Sequence, residues 1–377
     1  MQFRDLQKQY QILKPEIDNA IQEVLTTANF ISGQQVVELE EQLAKYVGVK
    51  HCITCANGTD ALTLALMVWN IGKGDAVFVP DFTFFASGET PAYEGATPVF
   101  VDVEKDTFNI SPVSLEQAIV KVKEEGTLIP RAIVAVDLFG QPANYPKIRE
   151  IADKYGLLIL EDGAQGFGGQ IGSQKACSFG DISTTSFFPA KPLGCYGDGG
   201  AIFTDNEEWA ELLRSYRVHG KGMDKYDNVR IGINSRLDTM QAAVLKVKLK
   251  AFQAYELTDV NRAAAKYTEL LSNIDTKFAL PIIAEGYYSS WAQYAILLPK
   301  DTDRNAVQTH MKTAGIPTMV YYPKPMHRQG AFEGMDGAVT DCPVTEELCK
   351  KVLCLPIHPY LTEEDCKAVV TALEAAS

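Results

Sequence analysis

The amino-acid sequence predicts an α/β protein, with a mostly parallel central sheet flanked by helices and a smaller α+β unit after it. From about residue 50 to residue 205, short apolar runs alternate with helical patterns, which is typical of β-α units around a buried parallel sheet. From about residue 236, a long helical stretch and then mixed strands and helices replace this alternation. We therefore expect a large domain over residues 1–240, and a connecting helix with a small C-terminal domain over residues 241–377.

The elements of the large domain follow in order. Two helical patterns come first, PEIDNAIQEVLTTA and QQVVELEEQLAKYVG, and Gly48 is a plausible stop for the second. The apolar runs then predict seven strands: HCITCA, AVFVP, TPVFVDV, AIVAVDLFG, LLILED, DISTTSF and GGAIFTD. Helical stretches such as SLEQAIVKVKEE and NYPKIREIADKYG separate several of them. The C-terminal unit contains the strand-like run AQYAILLP, the helix RNAVQTHMKTAG, the segment IPTMVYYP and the final helix EEDCKAVVTALEAA.

Composition excludes several functional classes. With 377 residues, 46% hydrophobic residues and 22% charged residues, the chain matches an ordinary globular protein. A net charge of -13 without a basic run argues against binding to nucleic acid or to an anionic membrane. The first ten residues lack the apolar core of a signal peptide, and no apolar run approaches 18 residues. We therefore expect a cytoplasmic protein with neither a membrane nor a nucleic-acid partner.

The eight cysteines include one C-x-x-C pair, Cys52 and Cys55. Such a pair fits half a zinc site, a redox pair or two small core residues. No second C-x-x-C or H-x3-H completes a zinc set, and HCITCA has the pattern of a buried strand. We therefore expect core residues here and no metal site in the protein.

Lys191 stands alone as a base in TSFFPAKPLGCYGDGGA, among prolines, glycines and aromatic residues. A lysine in a tight, partly apolar loop has a lowered pKa and becomes a nucleophile or forms a Schiff base. The alternative is a lysine whose stem lies over the loop while its head stays in water. Lys191 alone does not decide between the two.

Polar groups follow several predicted strands at their C-terminal ends, where parallel sheets bind ligands. In CANGTDALTLAL, the turn at Asn57, Gly58 and Thr59 begins a helix, so it fits either an anion site or an ordinary helix cap. In LLILEDGAQ, a buried strand runs into Asp162, whose carboxylate fits a protonated pyridine, a salt bridge or a cap.

Two further features complete the pattern. In DFTFFASG, Phe82, Phe84 and Phe85 crowd one loop, where one ring is placed to stack on a flat ligand while the others pack in the core. Ser186 precedes Lys191 by five residues and offers a hydroxyl to a phosphate. A phosphate cradle, a buried aspartate, an aromatic face and a desolvated lysine, in this order, predict a site for pyridoxal 5'-phosphate (PLP). The nucleotide motifs G-x-G-x-x-G and G-x-x-x-x-G-K-[ST] are absent from the sequence.

The motifs NGTDAL, FTFFAS, EDGAQ, SFFPAKPLG, GDGGAIFT and GINSRLDTMQAA closely resemble those of the DegT-type nucleotide-sugar aminotransferases. The resemblance covers essentially the whole chain and implies the aspartate-aminotransferase-like fold (PLP fold type I) and a homodimer with shared active sites. It is greatest with the enzymes that aminate UDP-2-acetamido-2-deoxy-3-keto-hexuronic acids in O-antigen (lipopolysaccharide) sugar synthesis. It also implies L-glutamate as amino donor and a UDP-keto-sugar, UDP-2-acetamido-2-deoxy-3-keto-glucuronic acid, as acceptor.

The resemblance also assigns roles to individual residues. Lys191 would form the Schiff base with the cofactor, and Asp162 would pair with its ring nitrogen. The remaining cofactor contacts would come from Gly58, Thr59 and Ser186 to the phosphate, Gln165 to the ring hydroxyl, Phe84 stacked on the ring, and Asn234 reaching the phosphate from the neighbouring subunit. The substrate positions would be Phe30, His219, Arg236, Tyr321, Tyr322 and His327, although a purely structural role fits His219 and His327 equally well.

Three departures from the family pattern and three alternatives stay open. Gly163 stands where alanine is usual, Asp198 where glutamate is common, and the Tyr321–Tyr322 pair where a His-Tyr pair is expected. One alternative is a C4-aminating enzyme for UDP- or dTDP-linked 4-keto-6-deoxy sugars, and another is a regulator that binds PLP without turnover. A third is another PLP enzyme. Sugar dehydratases of the family lack the lysine, and cysteine desulfurases usually have histidine where Ala190 stands.

Overall fold

The computed structural model describes residues 1–224, 226–274, 278–335 and 341–376. Both N-terminal helices lie where the sequence predicts them, although the first begins earlier, and Gly48 ends the second with a φ of 92°. The α-helices of these residues are α1 (Leu6–Thr27), α2 (Gln34–Val47), α3 (Gly58–Val68), α4 (Ala86–Tyr93), α5 (Pro112–Glu125), α6 (Tyr145–Tyr155), α7 (Glu207–Tyr216), α8 (Thr239–Ala251), α9 (Leu257–Ser272), α10 (Arg304–Thr313), α11 (Pro343–Lys351) and α12 (Glu363–Ala375).

The predicted seven strands form one sheet with the order β1-β9-β8-β5-β4-β2-β3. The strands of the described residues are β1 (His51–Cys55), β2 (Asp75–Pro80), β3 (Thr97–Val101), β4 (Ile129–Val136), β5 (Leu158–Asp162), β6 (Gln170–Ile171), β7 (Gln174–Lys175), β8 (Ile182–Ser186), β9 (Gly200–Thr204), β10 (Tyr287–Tyr288), β11 (Tyr294–Leu297) and β12 (Val352–Leu355). Strands β3, β2, β4, β5 and β8 pair in parallel, whereas β9 is antiparallel to both β8 and β1. The carboxyl ends of β1 and β8 therefore lie at the same edge as those of β5 and β2.

Both faces of the sheet are buried, as the apolar runs predict. Along β2, Val77 and Val79 belong to a core cluster with α3 and α4, while Ala76 and Phe78 belong to a second cluster with α5 and α6. This alternation follows from the two-residue period of a strand, and helices cover both surfaces. The mostly parallel sheet flanked by helices is therefore confirmed.

The chain after the sheet forms a long helical connection and a further core. Helices α8 and α9 are joined by a π-helical turn at Phe252–Glu256. Strands β11 and β12 pair antiparallel, and a third core cluster lies between α9, α10, α12 and these strands. The segment IPTMVYYP, by contrast, contributes only an isolated bridge between Met319 and Cys354. Helix α11 and strand β12 were not among the predicted elements. The boundary between residues 240 and 241 stays a prediction.

Cys52 and Cys55 are buried in the core, and each of the eight cysteines is a thiol rather than half of a disulfide. This agrees with the expectation of core residues at the C-x-x-C pair. In the parts of the chain that the structure describes, no helix has both the length and the apolar character needed to cross a bilayer.

Candidate active site

A cavity of about 590 Å³ lies at the carboxyl edge of the main sheet. Its walls are the β1–α3 turn, the β2–α4 loop, the end of β5, the loop after β8 and the segment 321–324 from the C-terminal part of the chain. The arrangement of the strands in the main sheet brings the first four segments together, although they are far apart in sequence. The C-terminal part of the chain supplies the fifth.

The β1–α3 turn presents the N-terminus of a helix to this cavity. The backbone carbonyl and the side chain of Asn57 accept the N–H groups of Ala61 and Asp60, at 3.1 and 2.8 Å. The N–H groups of Gly58 and Thr59 precede the first intrahelical bond and remain available to an anion. A Cβ on Gly58 would lie 2.8 Å from the Cβ of Ser186, so only glycine lets the two segments approach so closely.

Asp162 ends β5 and is buried. Its Oδ2 accepts a hydrogen bond of 2.7 Å from the Ser87 hydroxyl, and its Oδ1 accepts the N–H of Ala164 at 3.2 Å. Burial raises the pKa of Asp162, whereas the Ser87 hydroxyl and the Lys191 ammonium oppose that rise. A cationic ring nitrogen in the cavity would add to the groups that keep this carboxylate ionised.

Lys191 lies in the tight loop after β8 and lines the same cavity. Its N–H donates to the carbonyl of Phe188 at 2.9 Å, which closes the turn that carries it. Burial lowers the pKa of the Lys191 amine, Asp162 raises it, and the charge of Arg4 lowers it further. Of the two interpretations of Lys191, the lysine desolvated in a tight loop therefore fits, rather than the one with its head in water. Its amine is chemically suited to form a Schiff base.

Two further groups define the walls of the cavity. The Gln165 side chain accepts the N–H of Phe139 at 3.0 Å and donates to the Tyr322 hydroxyl at 3.0 Å, so its amide is fixed at the cavity wall. The Phe84 ring is exposed and lies 6.4 Å from the Tyr322 ring, in a tilted arrangement. The exposed Phe84 ring therefore offers a flat aromatic surface to a ligand in the cavity.

The residues present fit PLP. A helix N-terminus next to Ser186 suits the phosphate, Asp162 suits a protonated ring nitrogen, and Lys191 suits the aldehyde. The close approach of Gly58 to Ser186 is a particular fit, because a side chain at residue 58 would fill the space between these two phosphate donors.

Comparison with known proteins now adds to this geometry. Residues 11–374 match the DegT/DnrJ/EryC1/StrS aminotransferase family. The chain belongs to this family. It is therefore a PLP-dependent aminotransferase, and the resemblance of its motifs is confirmed.

Three relatives are each 42% identical to the aminotransferase. The UDP-2-acetamido-2-deoxy-3-oxo-D-glucuronate aminotransferase of Pseudomonas aeruginosa matches over 99% of this chain and 99% of its own length. The pleiotropic regulatory protein of Geobacillus stearothermophilus matches over 97% of this chain and 95% of its own. The UDP-N-acetyl-3-dehydro-alpha-D-glucosamine 3-aminotransferase of Acidithiobacillus ferrooxidans matches over 98% of this chain and 96% of its own.

A solved structure supports the fold. A DegT/DnrJ/EryC1/StrS aminotransferase from Brucella abortus superimposes with a TM-score of 0.95 at 46% identity, covering 100% of this chain and 99% of that one. The predicted aspartate-aminotransferase-like fold is thereby confirmed.

The aminotransferase cavity contains most of the residues that the sequence analysis selected. Those that line it are Gly58, Thr59, Phe84, Asp162, Gln165, Ser186, Lys191, Tyr321 and Tyr322. Those that do not are Phe30, His219, Asn234, Arg236 and His327. Asn234 was expected to act in a neighbouring subunit, and its exposed position on this chain is compatible with that role.

His327 does not line the cavity of this chain, although its neighbours Met326 and Gln329 do. Its Nδ1 is 2.7 Å from Oδ2 of Asp81, its backbone N–H donates to Oδ1 of the same carboxylate at 2.8 Å, and its Nε2 lies 3.4 Å from Glu346. Asp81 is also a partner of Cys342. With its ring held by carboxylates, His327 links the C-terminal part of the chain to the end of β2. Of its two proposed roles, the structural one fits this geometry.

Sequence reasoning missed two site residues, Ser87 and Thr83. The Thr83 hydroxyl lies 3.0 Å from that of Ser87, which donates to Asp162. Both residues belong to the stretch DFTFFASG, where the aromatic side chains drew attention. Two hydroxyls four residues apart in an otherwise apolar segment were the signal that could have found them. Lys324 also lines the cavity, and nothing in the sequence singled it out.

Proposed function

We propose that this aminotransferase moves an amino group from L-glutamate to C3 of UDP-2-acetamido-2-deoxy-3-keto-glucuronic acid. The observation that carries the proposal is the pairing of a desolvated lysine, Lys191, with the buried carboxylate of Asp162 in one cavity. The names of two relatives support the position, since both act on UDP-linked sugars with an oxo group at C3. The name of the first supports the uronic acid.

When bound, PLP supplies the electron sink that lets a proton leave the carbon bearing the amino group. Lys191 would hold the cofactor through its Nζ, and its amine would act as base and then as acid to move that proton. Asp162 would keep the ring nitrogen protonated, because an adjacent anion favours the charged form. Gly58, Thr59 and Ser186 would bind the phosphate and so fix the cofactor relative to Lys191.

The two half-reactions balance. With PLP bound, glutamate and one water molecule would be converted to 2-oxoglutarate while the enzyme retains the amino group. The keto-sugar would then receive that amino group at its carbonyl carbon, with release of one water molecule. The product is a 3-amino sugar acid, which suits a role in surface-polysaccharide (O-antigen) synthesis.

We also propose a homodimer with shared active sites. Asn234 and Phe30 are exposed, and neither lines the cavity of its own chain. The Nε of Arg236 is buried without a hydrogen-bond partner among the described residues. In the proposed dimer, Asn234 and Arg236 of one subunit meet the phosphate and the anionic sugar nucleotide bound by the other. His219 lies on the same segment of the chain and belongs to this contact.

A second candidate is a regulator that binds PLP without turnover, and the name of the Geobacillus stearothermophilus relative favours it. The experiment that separates the two candidates is an assay of the purified protein with glutamate and the UDP-linked 3-keto uronate, followed by mass spectrometry. We expect an amino-sugar product and an equal amount of 2-oxoglutarate. A protein that binds PLP but yields neither product would support the regulator.

The same assay tests which keto-sugar the enzyme prefers as amino acceptor. We expect kcat/KM to be higher for the 3-keto uronate than for a 4-keto-6-deoxy sugar by a large factor. Arg236→Ala should impair the sugar half-reaction more than the glutamate half-reaction, since guanidinium groups bind diphosphate and carboxylate. Equal or better turnover of the 4-keto sugar would instead assign the protein to the C4-aminating branch.

A further inference from the structure

Two cations outside the cavity contact the loop that carries Lys191. The loop turns sharply, because Lys191 N–H donates to Phe188 and the N–H of Cys195 donates to the carbonyl of Phe187 at 2.8 Å. A Cβ on Gly194 would overlap the carbonyl oxygens of Phe188 and Pro189. The loop is thus compact, and its outer carbonyl groups need donors from elsewhere in the chain.

Lys248 of α8 supplies one donor. Its side chain is 1% exposed, and its Nζ donates to the carbonyl of Gly194 at 2.8 Å. The Nζ also lies 4.2 Å from the centre of the Tyr196 ring. Burial lowers its pKa to about 8, and the charge of Glu256 opposes that shift. A buried amine is costly, and the direct contacts of Lys248 here are to residues 194 and 196 of the loop.

Arg4 supplies the second donor, from the segment before α1. Its Nη2 donates to the backbone carbonyl of Lys191 itself at 3.1 Å. Its Nη1 is buried without a partner among the described residues, next to a cavity of about 20 Å³ that Glu256 and Tyr360 also line. That volume suits one water molecule, which would satisfy Nη1. Arg4 therefore combines a direct contact to residue 191 with a charge close to the lysine amine.

We infer that Arg4 and Lys248 are positioning residues that fix the Lys191 loop by binding its carbonyl groups at residues 191 and 194. The inference rests on the proposed role of Lys191 as the residue that holds PLP. Two donors from separate elements restrain the loop three residues apart, and so restrain the path of the lysine stem towards Asp162. Misplacement of a reacting group by about 1 Å is enough to cost a hundredfold in rate, so a small slackening of the loop matters.

Arg4 and Lys248 should differ in their effect on the pKa of the Lys191 amine. The charged groups that act on the Lys191 amine among the described residues are Asp162, which raises its pKa, and Arg4, which lowers it. Removal of Arg4 should therefore raise the pKa of Lys191 and shift its reactivity to higher pH. Lys248 should affect the rate through geometry and leave that pH dependence in place. This contrast separates positioning from general destabilisation.

The test compares Lys248→Met and Lys248→Arg, with Lys250→Met as matched control, since Lys250 is exposed two residues later on the same helix. We expect Lys248→Met to slow the single-turnover reaction with glutamate by about 10- to 100-fold, with a much smaller change in KM. The Arg variant should recover part of the rate, and the control should match the wild type. A wild-type rate in the Met variant, or an Arg variant no faster than Met, would overturn the assignment of Lys248.

Arg4→Met and Arg4→Lys are tested on the protein without cofactor, which also keeps the inference separate from the proposed function. The rate of reductive methylation of Lys191 is followed against pH by peptide mass spectrometry. We expect the midpoint to rise in Arg4→Met and to stay near the wild-type value in Arg4→Lys. An unchanged midpoint in a folded Arg4→Met protein would overturn the assignment of Arg4. If glutamate turnover is absent in the wild type while the midpoint shifts as expected, the proposed function fails and the positioning of Lys191 by Arg4 stands.

Discussion

The Ser87 hydroxyl donates a hydrogen bond of 2.7 Å to Oδ2 of Asp162, across 75 positions of sequence. Burial raises the pKa of Asp162, and this hydrogen bond is the first of the groups that oppose the rise. The ionised state of the aspartate therefore depends on a neighbouring helix as well as on the ligand.

Ser87→Ala should raise the pKa of Asp162, so the acid limb of kcat/KM for glutamate should move to higher pH. The acid limb moves to higher pH because the reaction needs the ionised carboxylate, which exists only above the pKa of Asp162. Hydrogen bonds to charged groups contribute roughly 1.5–3 kcal/mol, so we expect about a tenfold loss or more on the acid side. Ser87→Thr keeps the hydroxyl and should behave like the wild type. An unmoved acid limb in Ser87→Ala would contradict the role.

Lys191→Ala should lose the visible absorption of lysine-bound cofactor and all turnover, while PLP still binds through the phosphate contacts. Borohydride reduction of the wild type followed by peptide mapping should place the label on Lys191. Lys324→Ala is the matched control, because Lys324 lines the same cavity and its removal should leave that label in place. A label on any other lysine would reject the assignment.

Asp162→Asn keeps the shape of the side chain and removes its charge. The ring nitrogen then loses its anionic partner, and we expect a rate loss that corresponds to several kcal/mol, on the order of other electrostatic contributions in active sites. Single-turnover kinetics with glutamate measure this directly. A variant with a rate near the wild type would show that Asp162 has another role.

Mixed dimers test the shared sites. In a heterodimer of Lys191→Ala and Asn234→Ala subunits, one site keeps both native residues if Asn234 acts across the interface. Activity should then return, up to about half that of the wild-type dimer. A heterodimer of Lys191→Ala and Asp162→Asn subunits should stay inactive, because both residues line the cavity of one chain. If verified heterodimers of Lys191→Ala and Asn234→Ala subunits are inactive, the active sites are not shared through Asn234.

A buried carboxyl pair next to the site predicts how stability depends on pH. Asp137 and Glu161 are both buried; burial, and after it the charge of Glu161, raises the pKa of Asp137, and burial raises the pKa of Glu161. Oδ2 of Asp137 has no hydrogen-bond partner among the described residues. Glu161 accepts hydrogen bonds from the N–H of Phe179 and the hydroxyl of Ser183, both at 2.7 Å, so we assign the proton to Asp137. An acid with a raised pKa stabilises the fold below its unfolded pKa of about 4, and this contribution is lost as pH rises.

Asp137→Asn replaces the protonated acid with an amide that cannot ionise. We expect its melting temperature, relative to the wild type, to increase steadily between pH 5 and pH 9. Glu161→Gln is the contrasting variant, since an amide nitrogen would face backbone donors and cost about 1–3 kcal/mol for each group left unpaired. If the difference in melting temperature between Asp137→Asn and the wild type does not change with pH, the assignment of the proton to Asp137 is wrong.

Local patterns carried most of the sequence prediction, and long-range contacts account for what it missed. The strands and the turn at Gly58 could be found because apolar period and turn chemistry are local properties. The pairing of Ser87 with Asp162 and of Arg4 with Lys191 could not be predicted, because the partners lie 75 and 187 positions apart. For His327 the resemblance leaves a cleft role and a structural role open, and its contact with Asp81, 246 positions away, is not visible in any local pattern.

The start of β9 has a consequence for cofactor supply. A Cβ on Gly200 would lie 2.5 Å from the carbonyl oxygen of Asn57 and 3.0 Å from the N–H nitrogen of Gly58. Gly200→Ala would thus press on the turn that receives the phosphate and leave the Lys191 loop alone. A tenfold weaker affinity for PLP lowers the free energy of unfolding of the PLP-bound enzyme by about 1.4 kcal/mol when the ligand is in excess. Where PLP is scarce, a smaller fraction of the Gly200→Ala protein than of the wild type would then hold the cofactor.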